Sequence, residues 1–381
     1  MKSTKLRGIM KWVYGCLVFL ITAGALCLWT YFAVQFWQSN EPRTSKKETV
    51  VEPLHSLKAL ESSLFYYPFL QKSLKSYRDE KDNGTYVIPG LKVTRTMRAG
   101  TDDVCTNMVP QSVCVVKDYL LIGAYCHTKT HYSVIYVLDK RSHEYLKTIV
   151  LPGRHHVGGI AYDRLHEMIW ISCYDKRAQA NAITLQQLEG YNYSLSKRPI
   201  AFYEVTDLYT IPKDSFLACY NGYLYVGYFQ IHNDSVLQKF EIGRDGKLIK
   251  QSSAPYQQSY DGMMPPEIAV PVNVATISGK VQGLAFSQYR MYITESYGVM
   301  QSKLVMFPIK EDEDSDQNYT NQNAISILSM PQKLEQITVD GEDMYSIYES
   351  ASYSYRYYSF PSIDRVIKMR VSEVGQFGRQ K

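Results

Sequence analysis

The sequence has little excess charge of either sign once its N-terminus is set aside. The chain carries 42 basic and 37 acidic residues, a formal charge of +5. Four of the basic residues lie in the first 37 positions, which contain no acid, and these are Lys2, Lys5, Arg7 and Lys11. Removing them leaves 38 basic against 37 acidic residues. Because phosphate contacts need clustered positive charge, this composition argues against nucleic-acid binding through a basic face.

Compact metal-binding motifs are also missing. Metal sites need three or four ligands with supporting neighbours. The sequence has no His-Glu-x-x-His motif and no cysteine pair at zinc spacing that would supply them. His127 and His131 fall in a turn, where a spacing of four has no helical meaning, and His155 and His156 are simply adjacent. The acidic run 311–316 lacks the central glycine and final glutamate of a calcium loop. We expect no metal site and no cofactor.

The seven cysteines do not form an obvious framework. Five lie outside the apolar N-terminal run, so they cannot all pair with one another. Cys105 and Cys126 are the candidates for a disulfide at the rim of the first repeated unit. A nucleophilic cysteine would need a histidine near an exposed thiolate, and Cys126 beside His127 is the one such hint.

An uncharged run of 26 residues extends from Trp12 to Trp37. About 20 apolar residues span a bilayer. The basic residues before the run predict a cytoplasmic N-terminus and an extracytoplasmic remainder. A cleaved signal peptide is the alternative, but its apolar core would cover only ~7–15 residues. We therefore interpret residues 12–37 as a retained single-pass membrane anchor that follows a cytoplasmic tail, residues 1–11.

One strand–turn–strand unit recurs five times, and its clearest copy covers residues 281–296. The copies, started at Val113, Ile160, Leu217, Leu284 and Ile337, are spaced by 47, 57, 67 and 53 residues. Each copy is followed by a third strand pattern. The first four have a fourth strand pattern, at residues 145–151, 201–205, 248–252 and 324–328. Four strands that recur at such periods predict propeller blades rather than a sandwich.

The fifth copy lacks a fourth strand before the chain ends. Because a propeller must close to avoid an open sheet edge, we predict that a strand within residues 86–96 completes the last blade. The predicted fold is all-β, a five-bladed propeller of four-stranded blades over residues 85–372 with an N-terminal transmembrane helix. Residues 38–84 are predicted as a stalk with a short helix, residues 251–277 as a loop, and residues 373–381 as a tail.

Five short motifs lie at the starts and ends of these copies. They are Val109-Pro110-Gln111, His156-Val157-Gly158-Gly159, Val281-Gln282-Gly283, Glu295-Ser296-Tyr297-Gly298 and Tyr348-Glu349-Ser350-Ala351. Together they resemble a bacterial family of secreted or membrane-anchored single-domain β-propellers, over about residues 101–371. The resemblance implies an extracytoplasmic propeller of unassigned activity, and no catalytic residue is transferred. Ser112 and residues 330–336 depart from the family's pattern.

The first strand of each blade lines the central channel of a propeller, and the residue that enters it points toward the channel mouth. Aligning the copies places five residues at this position, namely Gln111, Gly158, Ser215, Gln282 and Glu335. His156 lies two residues before Gly158 and hence on the same side of its strand. We predict ligand binding by Gln111, His156, Gln282 and Glu335, whose groups suit a sugar or a peptide. Mutual solvation with ordered water is the alternative.

Glu295 and Glu349 end the second strands of blades four and five, and with Glu335 they form a candidate carboxylate set. Glycoside hydrolysis needs two carboxyls ~5–9.5 Å apart. The first three blades offer no acid at the matching position, although four aspartates could approach from loops, namely Asp102, Asp103, Asp175 and Asp261. Structural or binding acids are therefore favoured over catalytic ones.

Our leading hypothesis is a membrane-anchored, non-enzymatic propeller that binds a ligand or envelope partner at the channel mouth. The partner would be a glycan, a peptide or an envelope protein. The alternative is a cell-surface hydrolase that acts on glycans, with Glu335, Glu295 or Glu349 as acid or base. A third hypothesis is an envelope scaffold whose exposed loops recruit another protein.

Overall fold

A computed structural model describes residues 2–39, 47–80, 82–174, 176–257, 262–309, 318–377 and 379–380. The chain divides into two units, residues 1–46 and residues 47–381. Three features named above fall outside the described residues: the acidic run 311–316, Asp175 and Asp261.

The first unit contains one long helix, α1 (Lys2–Ser39). Its segment Met10–Tyr31 has 22 residues and is long and apolar enough to cross a membrane. Two threonines in this segment satisfy their hydroxyls within the helix, because Thr22 and Thr30 each donate to a backbone carbonyl one turn earlier, at 2.9 Å. Such internal satisfaction is what a hydrocarbon environment requires. The same length and composition would also serve a signal sequence.

Two helices precede the propeller, α2 (Leu57–Ser63) and α3 (Pro68–Asp79). The sequence predicted one helix interrupted by Pro68. The structure instead places this proline in the first turn of α3, where its missing N–H costs no helical hydrogen bond. Leu70 and Leu74 of α3 are fully buried in a cluster shared with blades four and five.

The strands follow in chain order. Before the ring come β1 (Thr85–Val87) and the hairpin β2 (Thr94–Arg98) and β3 (Thr101–Cys105). Blade one comprises β4 (Met108–Val116), β5 (Tyr119–Cys126), β6 (Val134–Asp139) and β7 (Tyr145–Val150). Blade two comprises β8 (Ile160–Asp163), β9 (Met168–Ser172), β10 (Gln179–Thr184) and β11 (Glu204–Asp207), with the short helices α4 (Leu185–Gly190) and α5 (Tyr193–Ser196) before β11.

Blade three comprises β12 (Phe216–Tyr220), β13 (Tyr223–Gly227), β14 (Ser235–Glu241) and, after a hairpin of β15 (Lys250–Ser252) and β16 (Glu267–Ala269), the outer strand β17 (Asn273–Ile277). Blade four comprises β18 (Val281–Phe286), β19 (Arg290–Glu295), β20 (Ser302–Pro308) and β22 (Ser326–Met330), and the short β21 (Asn318–Tyr319) pairs with β17. Blade five comprises β23 (Leu334–Asp340), β24 (Asp343–Tyr348) and β25 (Arg365–Arg370), followed by α6 (Val371–Phe377) and β26 (Arg379–Gln380).

The N-terminal strand β1 closes the ring, as the sequence predicted. It pairs antiparallel with β25, with Tyr86 opposite Val366, and so supplies the fourth strand of blade five. The buried Asp364 strengthens this closure, because its carboxylate accepts the backbone N–H groups of Leu54 and His55 at 2.6 and 2.8 Å. The inner strands contact one another in the order β4, β8, β12, β18, β23 and back to β4. The five-bladed propeller is thereby confirmed.

The hydrophobic core lies between neighbouring blades. Adjacent residues of a strand point to opposite faces of its sheet. Val113 therefore packs in the cluster shared with blade five, whereas Cys114 packs in the cluster shared with blade two. Trp170 is fully buried in the cluster between blades two and three. Because both faces of a blade are covered, its central strands are apolar on both sides.

The predicted outer strand of blade three is wrong. Residues 250–252 form β15, which pairs with β16 in a separate hairpin and is exposed. Leu248 forms an isolated bridge with Ile242, just beyond the end of β14, so the predicted segment contacts the blade at its start but does not form its outer strand. The outer strand is β17, which lies within the stretch 251–277 that was predicted as a loop. Its Ala275 and Ile277 are buried against the core, whereas β15 has no comparable apolar face. In blade two, the outer strand begins three residues later than the predicted 201–205.

Candidate functional site

Three inner strands carry a β-bulge at the position predicted to face the channel mouth. The strand register shifts at Gln111 in blade one, at Gln282 in blade four and at Glu335 with Gln336 in blade five. A bulge inserts an extra residue and re-aims its side chain, and bulges are common beside functional sites. The residues that the sequence aligned in blades one, four and five therefore also share a backbone feature, the β-bulge.

The equivalent residues of blades two and three have a structural role. A Cβ atom on Gly158 would lie 2.0 Å from the carbonyl oxygen of Ser215. Glycine is therefore required for the close approach of the two strands. The Ser215 hydroxyl accepts the backbone N–H of Phe229 at 2.9 Å. Gly158 therefore offers no side-chain group to a ligand, and the Ser215 hydroxyl already accepts one backbone hydrogen bond.

Glu349 is held by a cation and an amide. Its Oε1 lies 3.1 Å from Nζ of Lys333, and its Oε2 accepts Nε2 of Gln111 at 2.9 Å. The side chains of Lys333 and Glu349 are only 11% and 10% exposed. Gln111 is thus committed to Glu349, so it positions this acid rather than offering its amide to a ligand.

Glu335 lies beside this ion pair and is buried, with 3% exposure. Among the residues that the structure describes, none forms a hydrogen bond with its carboxyl group. Burial, followed by the negative charge of Glu349, raises the pKa of Glu335 well above its ordinary value, against the opposing effect of Lys333. Burial also raises the pKa of Glu349, but Lys333 and Gln111 oppose this shift. Because Glu349 has the cation and the amide, the pKa of Glu335 is the more strongly raised of the two.

Aromatic rings border the two acids. The Tyr125 ring meets the His156 ring edge-on at 4.4 Å between centroids, and His127 meets Tyr355 in the same way at 5.6 Å. Nζ of Lys333 lies 4.0 Å from the centre of the Tyr355 ring. Burial and the charge of Glu349 raise the pKa of Tyr355 to about 12, so this phenol is neutral at physiological pH.

Two further predicted site residues present polar groups without a protein partner. Gln282 is half-buried and His156 is exposed. Within the described parts of the chain, no hydrogen bond satisfies the Gln282 amide or the His156 ring nitrogens. Desolvation by the surrounding protein, together with Lys129 and Lys213, lowers the pKa of His156 to about 4, although the ring remains in contact with solvent. A neutral imidazole can both donate and accept a hydrogen bond.

We call these residues the mouth cluster. It comprises Gln111, Tyr125, His156, Gln282, Lys333, Glu335, Glu349 and Tyr355. The bulges at Gln282 and Glu335 adjoin, because a Cβ atom on the intervening Gly283 would lie 2.7 Å from the Cα atom of Gln336.

The third candidate acid, Glu295, has partners of its own on blade four. Its Oε2 lies 3.2 Å from Nζ of Lys303 and accepts Nδ2 of Asn321 at 3.0 Å. The charges that act on Glu335 are instead those of Glu349 and Lys333. The structure therefore brings together two of the three proposed carboxylates.

The described loop aspartates are engaged at the outer hairpin β2–β3. The Asp102 carboxylate accepts two hydrogen bonds from the Arg95 guanidinium, at 3.0 and 2.9 Å. Asp103 lies 3.4 Å from Nε2 of His131. Each of these acids therefore has a partner on or beside that hairpin.

Gln336, a residue that the sequence did not single out, bridges the inner strands across the ring. Its Oε1 accepts the N–H groups of Ile160 and Val113 at 3.0 and 3.3 Å. Its Nε2 donates to the carbonyls of Ile160 and Leu217 at 2.8 and 3.4 Å. Gln336 also lines a cavity of about 80 Å³ formed by the inner strands. Gln336, next to Glu335 in the chain, thus links blade five to the inner strands of blades one, two and three.

Other site residues were missed for identifiable reasons. Tyr125 lies near the end of the second strand of blade one, and Glu349 directly follows the second strand of blade five. Comparing the ends of the second strands, which identified Glu349, could therefore also have identified Tyr125. Lys333 has a positive φ of 65° just before β23, and Tyr355 lies in the loop between β24 and β25. Lys280, with a positive φ of 66° just before β18, is the equivalent of Lys333 in blade four, so a comparison of the copies could have found Lys333. Tyr355 lies outside the strands that the repeat aligns, so the repeat gives no signal for it.

No protein-family model matches this sequence, and a search of the curated proteins finds no match. The structure supports the five-bladed fold that the motif resemblance implied. A bacterial origin and secretion depend on that resemblance alone.

Proposed function

We propose that the protein is a membrane-anchored, extracytoplasmic propeller that binds an uncharged polar ligand, a glycan or a peptide segment of an envelope partner, at the mouth cluster. The observation that carries this proposal is the set of unpartnered polar groups at one end of the ring, on Glu335, Gln282 and His156. The apolar helix α1 is the anchor, and the basic residues before its apolar segment place the propeller outside.

The chemistry of the cluster matches hydroxyl and amide groups. A protonated Glu335 donates a hydrogen bond, the Gln282 amide donates and accepts, and the neutral imidazole of His156 does both. The Glu335 carboxyl group has no hydrogen-bond partner among the described residues, so it is available to pair with a ligand. The charge of Lys333, the buried cation of the cluster, is already matched by Glu349.

A glycan hydrolase is the second candidate, and one observation favours it. A buried acid with a raised pKa, Glu335, lies beside a carboxylate, Glu349, as in the acid and base pair of glycosidases. However, both oxygens of Glu349 already have partners, on Lys333 and Gln111. This engagement makes Glu349 a poor nucleophile or base, so binding without turnover is the better-supported function.

The test uses the full chain in detergent micelles, screened against arrays of glycans and envelope-derived peptides. We expect Gln282→Ala and Glu335→Ala to weaken a genuine hit at least about tenfold, since each removes a hydrogen bond to the ligand. Glu295→Ala is the matched control, because it changes another buried glutamate, which lies outside the cluster.

Equal affinity of the wild type and the two mouth variants would refute the proposal. Binding that survives these changes but is lost when residues 253–257 or 262–266, between β15 and β16, are replaced would support the scaffold hypothesis instead. Release of cleaved glycan from the array, lost in Glu335→Gln, would support the hydrolase.

A further inference from the structure

Two cysteines and a histidine converge at the rim of blade one, apart from the mouth cluster. Cys105 ends β3, Cys126 ends β5, and His131 lies in the turn that follows β5. Their ligand atoms all lie within 4.8 Å of one another. Both cysteines are buried, and the His131 side chain is only 12% exposed.

We propose that Cys105, Cys126 and His131 bind a zinc ion. Two thiolates and an imidazole are a donor set that zinc prefers over the oxygen-seeking calcium and magnesium. Cys126 and His131 are five residues apart, but Cys105 lies on the neighbouring hairpin, so no short motif contains all three residues. The expectation of no metal site treated His131 and the two cysteines separately and did not consider them together.

The separation of the donor atoms agrees with a zinc site. Sγ of Cys126 lies 3.5 Å from Nδ1 of His131. A zinc ion bonded to sulfur at ~2.3 Å and to nitrogen at ~2.05 Å, with a tetrahedral angle between the bonds, places the two donors about 3.5 Å apart. Metal binding would therefore require little movement of this pair.

The surroundings of His131 orient its nitrogen toward the sulfur atoms. Its Nε2 lies 3.4 Å from the Asp103 carboxylate, the type of partner that holds zinc-binding histidines in one tautomer. With the proton on Nε2, the lone pair of Nδ1 faces Cys126. The Thr130 hydroxyl, 2.9 Å from Nδ1, can donate to it in the absence of a metal, and rotation of this hydroxyl would free the nitrogen.

Both sulfur atoms have nearby groups that can stabilise thiolates. The backbone N–H of Asn107 donates to Sγ of Cys105 at 3.4 Å. The Thr128 hydroxyl lies 3.2 Å from Sγ of Cys126. Three protein ligands leave a fourth position for water or a small ligand. Since Cys105 belongs to the outer hairpin and Cys126 to blade one, the ion would tie this hairpin to the ring.

The experiment titrates Zn²⁺ into the full chain, purified in detergent under a phosphine reductant and stripped with a chelator, in competition with a chromophoric zinc chelator. We expect one zinc ion per chain. Cobalt substituted at the site should give the absorption of a thiolate-bound ion. Cys126→Ser should abolish binding, and Cys219→Ser, at a half-buried cysteine of blade three, is the matched control and should bind normally.

A second variant guards against misfolding of the cysteine variant. Asp103→Asn keeps the three ligands and should weaken zinc binding roughly 10–100-fold, because it disturbs the orientation of His131. If the wild type binds zinc no more tightly than Cys126→Ser does, the proposal is overturned. A disulfide between Cys105 and Cys126, found by mass spectrometry in the unreduced chain from its native membrane, would overturn it as well.

Discussion

Replacing Gln336 with leucine tests whether this single side chain joins the blades across the axis of the ring. The amide makes two well-formed hydrogen bonds to Ile160, at 3.0 and 2.8 Å. It makes two longer ones, to Val113 at 3.3 Å and to Leu217 at 3.4 Å. Leucine has nearly the same size but can form none of them.

The expected loss follows from the groups left without partners. Each buried N–H or C=O group that loses its hydrogen-bond partner costs about 1–3 kcal/mol. The N–H groups of Ile160 and Val113 lose the Gln336 oxygen, and a leucine side chain offers them no acceptor. The buried methyl groups offset part of this cost. We expect Gln336→Leu to lower the free energy of unfolding by about 3 kcal/mol, roughly a hundredfold in the unfolding equilibrium.

The assay is pulse proteolysis of the full chain in detergent over a urea series, which reports the folded fraction. Gln332→Leu is the matched control, because this buried amide makes a single bond, to the carbonyl of Phe360 at 3.0 Å. It should cost about 1 kcal/mol. If the two leucine variants unfold at the same urea concentration, Gln336 does not hold the inner strands as described.

Two further changes probe buried ionisable groups, the first by the same assay and the second by thermal unfolding. Lys333→Met leaves Glu349 buried without its cation and should cost about 3–5 kcal/mol at neutral pH. Adding Glu349→Gln should recover much of this cost, whereas additive losses would contradict a buried ion pair. Burial raises the pKa of Asp214 to about 8. Because this folded-state pKa lies above the unfolded value, the stability that Asp214 contributes at low pH is lost as the pH rises through about 8. Asp214→Asn should therefore flatten the decline in melting temperature between acid and alkaline pH, and parallel curves for variant and wild type would contradict this.

The repeat made most of the architecture predictable. Inner and second strands recur with matching residues, so the copies at Val113 and Leu284 could be aligned without knowledge of contacts. Closure by β1 followed from the missing fourth strand of blade five and the cost of an open edge. The outer strand of blade three could not be found in this way, because an outer strand need only match its one neighbour. The exposed polar strand β15 lies where the outer strand of blade three was expected, and β17 forms that outer strand instead.

The candidate site was predictable only where it coincides with the repeat. Gln282 and Glu335 were found because they share one position, which the bulges explain. The partnership of Gln111 with Glu349 joins residues 238 positions apart, and no repeat comparison reveals such a pair. Tyr355 lies in the connection between β24 and β25, outside the aligned strands, where long-range packing decides the conformation rather than local pattern.

The central claim is that Glu335 is a buried, protonated acid that can donate a hydrogen bond to a ligand at the channel mouth. Infrared difference spectroscopy of the full chain, recorded as the pH rises from neutral, detects the carbonyl band of a protonated carboxyl group. The measurement belongs in the Asp214→Asn background, since Asp214 also has a raised pKa. We predict a carboxyl band at neutral pH that is retained in Glu295→Gln and lost in Glu335→Gln. Absence of the band, or its survival in Glu335→Gln, would contradict the account.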